Sequence, residues 1–302
     1  MKKIYVLGSM NIDLVIHTPY MPKNGETLTG SNFFINEGGK GANQAVAASK
    51  QDIFTYLIGC LGDDIFSKKI LHSLKKYHVQ TDFVQILKNT NTGTAMIIIE
   101  NNDNRIILDS GANALIDTSL IDAALNNAES NDIFITQLEN NLEAITYGLK
   151  KAKKQNMITI FNPAPAKMLD NNIYQYVDYL IVNESECKIL TNISPTNNQN
   201  YKLAFKFFEK YGLKNLIITL GKKGAVFINL KEFIKVKANK VQAIDTTAAG
   251  DTFVGVFASS ISLNKPIKEA LNYACLCSSL TCLKKGAQQA IPTKKDVLNY
   301  QN

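Results

Sequence analysis

The stretch Asp245-Thr246-Thr247-Ala248-Ala249-Gly250-Asp251-Thr252-Phe253 decides how this chain folds and what it can bind. It links a strand-like segment, Val241 to Ile244, to an apolar helical segment, Phe253 to Ile261. A turn of small residues at a helix start directs several unpaired backbone N–H groups at one point. The helix dipole adds partial positive charge there. The stretch therefore predicts an anion site.

A carboxylate, that of Asp251, lies at the rim of this predicted anion site. A carboxylate beside a bound anion is unexpected unless the two take part in one reaction. The pairing is typical of phosphoryl transfer, in which Asp251 would take the proton of the attacking hydroxyl.

Length and composition indicate one large globular domain. The chain has 302 residues, of which 45% are hydrophobic, and a formal net charge of +7. The positive charge is spread without a basic block, which favours a solvated surface with a preference for small anions over a nucleic-acid site. No apolar stretch approaches the ~18–20 residues of a membrane span.

Cysteine usage and the N-terminus favour a cytoplasmic protein. The five cysteines follow no disulfide or metal-site spacing, and the apolar part of the N-terminus is too short for a signal peptide. The cysteines are Cys60, Cys187, Cys275, Cys277 and Cys282.

Short apolar runs alternate with segments of helical period. The alternation predicts an α/β fold with a mostly parallel central sheet covered by helices on both faces, and with ligands at the carboxyl ends of the strands. The predicted strands are Ile4–Gly8, Thr55–Ile58, Ile133–Thr136, Ile158–Phe161, Tyr179–Val182 and Leu216–Thr219. The predicted helices are Ala42–Ser49, Phe66–Lys76, Asn141–Lys154, Leu203–Tyr211, Asp251–Ser262 and Ile267–Lys284, and a final short helix. Pro195–Asn200 is interpreted as a polar loop.

Two segments interrupt this rhythm in the first third of the chain. Ile12–Ile16 with Thr27–Phe34, and Thr94–Glu100 with Arg105–Leu108, have the pattern of antiparallel strand pairs, the second closed by a turn at Asn101–Asn104. We expect a small sheet attached to the core as a lid, built from about 12–36 and 92–110.

Several polar runs flank the predicted strands. Gly38 to Gln44 places glycines and polar side chains at a helix start, which suits either a ligand site or a simple turn. Asn11 and Asp13 share one face of an extended segment and could hold adjacent hydroxyls, although turn chemistry after the first strand is the favoured explanation when they are taken singly. Asn183–Glu186 fits a Mg²⁺–phosphate network or an ordinary acidic helix start. Thr219–Gly224 fits a hairpin or a nucleotide loop, and Asn162–Pro165 a stiffened turn.

In this order, these runs resemble the ribokinase family of sugar kinases, the PfkB-type carbohydrate kinases, over essentially the whole chain. Gly38 to Gln44 and Asp245 to Asp251 are the two ends of the signature. Asn43-Gln44 is closer to the ribose-specific members than to fructokinases or adenosine kinases. The resemblance implies a single ribokinase-like three-layer α/β domain over residues 1–302, whose β-sheet lid often mediates homodimers.

The resemblance also implies roles for individual residues. Asp251 would be the catalytic base, and the amides of Ala248, Ala249 and Gly250 the anion hole. The sugar would be held by Asn11, Ile12, Asp13, Gly39, Lys40, Gly41, Ala42, Asn43, Glu139 and Asp251. ATP would be bound by Asn183, Glu186, Thr219, Leu220, Gly221, Lys222, Lys223, Gly224, Gly250, Asp251 and Cys275, with Glu186 organising Mg²⁺. An activating monovalent cation such as K⁺ would be held by Asp245, Thr247, Thr281, Lys284, Gly286 and Ala290.

The expected reaction is phosphorylation of ribose by MgATP. Asn11 favours ribose over 2-deoxyribose, because a buried amide left without a hydroxyl partner costs ~1–3 kcal/mol. A kinase for 2-deoxyribose, another small sugar or a nucleoside, and a non-catalytic sugar sensor, remain the alternatives. No nucleic acid or membrane partner is expected.

Overall fold

The computed structural model describes residues 2–101 and 103–301, so Asn102 of the predicted turn lies outside the described residues. The strands are β1 (Ile4–Leu7), β2 (Asn11–His17), β3 (Ser31–Gly38), β4 (Thr55–Gly62), β5 (Gln80–Leu87), β6 (Gly93–Glu100), β7 (Asp103–Asp109), β8 (Ile133–Thr136), β9 (Ile158–Phe161), β10 (Tyr179–Asn183), β11 (Asn215–Thr219), β12 (Ala225–Ile228) and β13 (Phe233–Val236). The helices are α1 (Lys40–Ser49), α2 (Ile65–Lys76), α3 (Thr118–Leu125), α4 (Leu142–Lys154), α5 (Glu184–Thr191), α6 (Asn198–Glu209), α7 (Ala249–Ser262), α8 (Ile267–Thr281) and α9 (Lys294–Gln301). Short 3-10 turns lie at Gly111–Leu115, Asn171–Tyr176 and Gly221–Lys223.

The central sheet has nine strands in the order β13-β12-β11-β10-β9-β8-β1-β4-β5. The strands from β11 to β5 are parallel, and β12 and β13 are antiparallel at one edge. The predicted mostly parallel sheet is therefore confirmed.

Helices cover both faces of this sheet. Side chains alternate along a strand, so Ile4 and Val6 of β1 pack into one core, whereas Tyr5 and Leu7 pack into the other. Helices α1, α2, α7, α8 and α9 contribute to the first core, and α3, α4, α5 and α6 to the second. This arrangement is the expected three-layer α/β fold.

The strand order reverses beside β1. From β1 the chain builds outward through β4 and β5, and then returns to build β8, β9, β10 and β11 on the other side. In such sheets the helices leave a crevice at the carboxyl ends of the two strands where the order reverses. The chain at this point runs through Gly8 to Asn11 after β1 and through Gln137 to Glu139 after β8.

The interrupting segments form a separate four-stranded sheet, β3-β2-β6-β7. The two predicted antiparallel pairs are confirmed, and a parallel pairing of β2 with β6 joins them. The second strand of the first pair lies four residues later than expected, because β3 runs from Ser31 to Gly38 and not from Thr27 to Phe34. Asn11 pairs with Gly38 and Gly93, which brings the end of this sheet to the crevice.

Two local predictions are wrong. Val241–Ile244 forms no strand, although all four residues are described, and the backbone N of Ile244 donates instead to the carbonyl of Cys282 after α8 at 2.8 Å. The supposed polar loop Pro195–Asn200 contains the start of α6, where the side chain of Asn197 accepts from the backbone N of Asn200 at 3.0 Å. Polar residues that favour turns also favour helix caps, which explains the error.

Candidate active site

The carboxylate of Asp251 lies in the first turn of α7 and is only 8% exposed. Its Oδ2 accepts from Nδ2 of Asn43 at 2.9 Å, and its Oδ1 accepts from Nε2 of Gln44 at 3.1 Å. Both donors lie on α1, so the two runs of the sequence signature meet at this carboxylate.

Glycines allow α1 to approach its neighbours this closely. A Cβ atom on Gly255, one turn after Asp251, would lie 2.4 Å from the carbonyl oxygen of Gln44. Gly39 precedes α1 with a φ of 89°, and a Cβ there would lie 2.7 Å from the backbone N of Asn11. Positions of this kind require glycine.

The start of α7 has the geometry of an anion site. Ala248 caps the helix with left-handed dihedrals, φ 60° and ψ 5°, which costs an alanine ~1 kcal/mol. The amide of Ala249 donates to the carbonyl of Thr246 at 3.2 Å. Among the described residues, the amides of Ala248 and Gly250 have no protein acceptor. Nothing lies within 4 Å of a Cβ built on Gly250, so the side of the helix start that this residue faces is open.

Glu139 joins the two strands at which the sheet order reverses. Its Oε2 accepts from Oγ of Ser9 at 2.5 Å and from the backbone N of Lys40 at 3.1 Å. Ser9 follows β1, Glu139 follows β8, and Lys40 begins α1. A single carboxylate thus connects three elements at the crevice.

Asn11 is oriented by a buried neighbour that the sequence did not single out. Oδ1 of Asn11 accepts from Nδ2 of Asn113 at 2.8 Å, and Oδ1 of Asn113 accepts from the backbone N of Met10 at 2.9 Å. Because Oδ1 of Asn11 is engaged, its amide presents N–H groups to a ligand. Ile12 is fully buried in the core, so only its backbone can face the crevice.

Three carboxylates and one ammonium share this region. Burial, followed by repulsion from Glu139 and Asp251, raises the pKa of Asp13 to about 7. Burial also raises the pKa of Asp251, while the charge of Lys40 and the amides of Asn43 and Gln44 oppose the rise. The charge of Asp251, followed by that of Glu139, raises the pKa of Lys40 against its burial. Lys40 is therefore charged and provides the local positive charge.

Asn183 and Glu186 form a capping box at the start of α5. Oδ1 of Asn183 accepts from the backbone N of Glu186 at 2.8 Å, and Oε2 of Glu186 accepts from the backbone N of Asn183 at 2.8 Å. Burial raises the pKa of Glu186, and the charges of Lys40 and Asp251 also act on it. Glu186 thus caps α5 and also interacts through its charge with Lys40 and Asp251 in the crevice.

The run Thr219–Gly224 is a hairpin turn at the carboxyl end of β11. The backbone N of Leu220 donates to the carbonyl of Gly224 at 2.8 Å, and Gly224 has a φ of 104°. Gly221, Lys222 and Lys223 are exposed. Nζ of Lys223 lies 3.4 Å from Oε1 of Glu184, next to the capping box.

Cys275 lies on α8 and packs into the first core. Its side chain is 5% exposed, and burial raises its pKa to about 12, so it is a neutral thiol. One turn later, Oγ of Ser278 donates to the carbonyl of Ala249 at 2.8 Å. Cys275 is thus near the start of α7 as a packing residue.

The predicted cation ligands are only partly joined to one another. Oδ1 of Asp245 accepts from N and Oγ1 of Thr247 at 2.9 and 2.7 Å, and Oδ2 accepts from the backbone N of Gly286 at 2.9 Å. The backbone N of Lys284 donates to the carbonyl of Thr281 at 3.3 Å where α8 ends. Ala290 is buried in the turn that follows.

Sequence reasoning gave no site role to five buried polar residues. Ser9 and Gln44 stood inside or beside the quoted runs, and Asn162 was interpreted as part of a structural turn. Polar residues directly after buried strands were the available signal, since Gln137 follows β8 and Asn162 follows β9. The five are Ser9, Gln44, Asn113, Gln137 and Asn162.

Residues 1–294 match the family model described as pfkB family carbohydrate kinase. The chain belongs to the pfkB family of carbohydrate kinases. The family match confirms the resemblance that the two signature runs indicated, and it shows that the protein is a sugar kinase.

Several relatives of this pfkB chain match it over nearly its whole length. A ribokinase of Schizosaccharomyces pombe is 42% identical over 98% of this chain and 97% of its own. A deoxyribokinase of Salmonella typhi is 34% identical over 98% of each chain. Arabidopsis thaliana ribokinase, solved with ribose and ATP, superposes with a TM-score of 0.90 at 30% identity, covering 99% of this chain and 98% of that one.

Two properties bear on partners of this kinase. Within residues 2–101 and 103–301, no helix is both long and apolar enough to cross a bilayer. Within the same ranges, no three His, Cys, Asp or Glu side chains converge as a metal site would require.

Proposed function

We propose that this kinase transfers the γ-phosphoryl group of MgATP to O5 of D-ribose, giving D-ribose 5-phosphate and ADP. The observation that carries the proposal is the buried carboxylate of Asp251, held by Asn43 and Gln44 at the start of α7 beside the ammonium of Lys40. Full-length similarity to ribokinases supports ribose as the acceptor.

The sugar would lie between the end of the small sheet and the start of α1. Asn11 offers N–H groups, whereas Asp13 and Glu139 offer carboxylate oxygens, and together they suit the adjacent hydroxyls of a furanose. Lys40 and Asn43 extend this set toward Asp251. The proposed sugar ligands are Asn11, Ile12 through its backbone, Asp13, Gly39, Lys40, Gly41, Ala42, Asn43, Glu139 and Asp251.

Asp251 would accept the proton of the O5 hydroxyl. Burial raises the pKa of Asp251, while Lys40 and the two amides oppose that rise and favour the ionised form in which it can accept the proton. In a loose transition state most charge lies on the transferring phosphoryl oxygens, which the free amides at the start of α7 can stabilise. We assign Ala248 and Gly250, whose amides are free, to this anion hole, together with Ala249, whose amide would have to exchange the carbonyl of Thr246 for the phosphoryl oxygen.

ATP would lie along the carboxyl ends of β10 and β11, with its phosphates directed at Gly250 and Asp251. Asn183, Glu186 and the turn from Thr219 through Leu220, Gly221, Lys222 and Lys223 to Gly224 flank that path, and Cys275 packs below it. Mg²⁺ bound with the nucleotide would neutralise phosphate charge, and the half-buried carboxylate of Glu186 fits a role through bridging water.

A monovalent cation would be held behind the anion hole. Asp245 already joins the turn before α7 to Gly286, so an oxygen-coordinated ion there would fix the position of the anion hole. K⁺ favours rings of carbonyl oxygens, which this turn-rich segment can supply. The proposed ligands are Asp245, Thr247, Thr281, Lys284, Gly286 and Ala290, several through their carbonyls.

The small sheet would act as the lid of one domain spanning residues 1–302 and as a dimer surface. Met96 and Ile107 stand opposite each other on one face of it, and Ile97 and Ile106 on the other. Ile107 is 69% exposed and every residue of β7 is exposed. A sheet with apolar side chains on both faces needs a covering partner, and a second copy of the chain fits that need. We also propose a cytoplasmic location, since ribose and ATP are the only partners required.

A kinase for 2-deoxyribose is the second candidate, since a deoxyribokinase is among the relatives. The orientation of Asn11 favours ribose, because its N–H groups need a hydroxyl acceptor. A non-catalytic sugar sensor would have no use for the buried carboxylate at the anion site.

An ADP-release screen tests the proposal directly. The purified chain is assayed with MgATP and ribose, 2-deoxyribose, other small sugars and nucleosides, with and without K⁺, and the product is identified by ³¹P NMR. We expect the highest kcat/KM with ribose and a phosphate on O5. A higher value with 2-deoxyribose or a nucleoside would replace the proposed acceptor, and no release with any acceptor would favour the sensor.

A further inference from the structure

A row of buried amide side chains runs behind Asp251, and Gln44 is at its centre. Nε2 of Gln44 donates to Oδ1 of Asp251 and to Oδ1 of Asn162, each at 3.1 Å. Oε1 of Gln44 accepts from Nε2 of Gln137 at 2.8 Å. Gln44 and Gln137 are fully buried, and Asn162 is 8% exposed.

The orientation of every amide in this row follows from one backbone carbonyl. Nδ2 of Asn162 donates to the carbonyl oxygen of Ile181 in β10 at 2.9 Å. A carbonyl oxygen can only accept, so Oδ1 of Asn162 must face Gln44. Gln44 must then present its NH₂ group, and both hydrogens of that group are used, one on Asn162 and one on Asp251.

We propose that Gln44 is a positioning residue for the Asp251 carboxylate. Its N–H group holds that carboxylate in one orientation and favours the ionised form, which only accepts hydrogen bonds. The inference rests on the proposed role of Asp251 as base. It adds that the base is oriented from the central sheet, through Asn162 and Ile181, and not only by the neighbouring sugar ligand Asn43.

Charged groups face Asp251 from four directions. Lys40 lies on α1, Glu139 follows β8, Asp13 lies on β2 and Glu186 lies on α5. Three of these four groups are carboxylates, and burial raises the pKa of Asp251 further. The N–H groups of Asn43 and Gln44 oppose that rise, so loss of Gln44 should raise the pKa of the base.

Gln44→Met tests this, since it keeps the length of the side chain and removes its amide. A hydrogen bond to a charged group is worth ~1.5–3 kcal/mol, and one pH unit corresponds to ~1.4 kcal/mol. We therefore expect the acid limb of kcat/KM against pH to move upward by about 1–2 units. Asn162→Ala keeps Gln44 but releases its orientation, and should give a smaller shift in the same direction.

Gln155→Met is the matched control. Gln155 also donates from a shielded amide to a carbonyl, that of Leu125 at 3.0 Å, but it lies at the end of α4 away from Asp251. Its loss should lower the melting temperature without moving the acid limb. An unmoved acid limb in both Gln44→Met and Asn162→Ala would overturn the proposal.

A titration that needs no turnover separates this proposal from the proposed function. The ¹³C signal of the Asp251 carboxyl, assigned by its loss in Asp251→Asn, is followed against pH in the parent chain, in Gln44→Met and in Asn162→Ala. An upward shift in either variant supports the role of Gln44 even if no acceptor is phosphorylated. If the chain phosphorylates ribose but neither variant shifts this titration, the proposed function stands and the role of Gln44 does not.

Discussion

Nδ2 of Asn43 lies 2.9 Å from Oδ2 of Asp251, although 208 positions separate the two residues in the chain. The contact joins the first turn of α1 to the first turn of α7, and it lies at the point where the sheet order reverses. The proposed base therefore acquires its orientation only when these two helices pack together.

Asp251→Asn should lower kcat by ~10²–10⁴-fold, because it removes the proton acceptor and leaves the proposed anion site and the other sugar ligands. ADP release gives kcat, and calorimetry with ribose gives the Kd, which should change much less. Turnover close to that of the parent chain would refute the assignment of Asp251 as base.

Gly255→Ala should lower the free energy of unfolding by ~1–3 kcal/mol, since its Cβ would lie 2.4 Å from the carbonyl oxygen of Gln44. Gly250→Ala is the comparison, because nothing lies within 4 Å of its Cβ. It should unfold at the same denaturant concentration as the parent chain and yet raise KM for ATP, since the methyl group occupies the space before the proposed anion hole. Equal destabilisation of both variants in urea would contradict the packing argument.

Asp13→Asn should stabilise the chain in a manner that depends on pH. The pKa of Asp13 rises from 3.8 to about 7 on folding, so the folded state binds the extra proton between these values. Ionisation of Asp13 in the folded state lowers the free energy of unfolding. This loss is absent below pH 3.8, grows between pH 4 and 7, and is complete above pH 7. The substitution should thus add ~2–4 kcal/mol at pH 8 and little at pH 4, while weakening ribose binding.

Urea unfolding at pH 4, 6 and 8 measures this dependence. Asp82→Asn, on the exposed side of β5, is the control and should show no such trend. A gain that is equal at all three pH values would exclude ionisation of Asp13 as its cause.

Asn113→Ala should reduce the preference for ribose. Without the Nδ2 donor of Asn113, the amide of Asn11 can rotate and no longer presents only N–H groups to the sugar. We expect kcat/KM for ribose to fall by ~10-fold, and that for 2-deoxyribose to fall less, because a hydrogen bond of ~1–3 kcal/mol is weakened for ribose. Equal losses for the two sugars would show that Asn113 supports the fold without setting specificity.

Asp245→Ala should abolish activation by K⁺. The substitution removes the carboxylate that joins Thr247 to Gly286, so an added cation can no longer fix the turn before α7. ADP release is measured at constant ionic strength with K⁺ replaced by a bulky organic cation, and Asp82→Ala serves as the control. A parent chain that does not respond to K⁺ would remove the cation site from the proposal.

The parts of the fold and site that were predictable follow from local chemistry. Apolar runs such as Ile133–Thr136 form strands because burial on both faces selects such residues, and the small residues from Ala248 to Gly250 form a helix start. Edge strands such as β5 and β13 were missed, because their half-buried positions weaken the pattern. Val241–Ile244 looked like a strand, but the backbone N of Ile244 bonds to the carbonyl of Cys282, a contact distant in sequence that the local pattern does not show.

By itself, the sequence determined the layered α/β architecture, the helix start at α7 where we propose the anion site, and the two runs that identify a sugar kinase, because each depends on residues close together in the chain. Only the tertiary structure decided how the polar groups are oriented. Gln44 donates to Asp251 because the carbonyl of Ile181 fixes Asn162, and Asn11 presents N–H groups because Asn113 occupies its oxygen. These contacts join residues far apart in sequence, and the direction of each hydrogen bond is set by its buried neighbours.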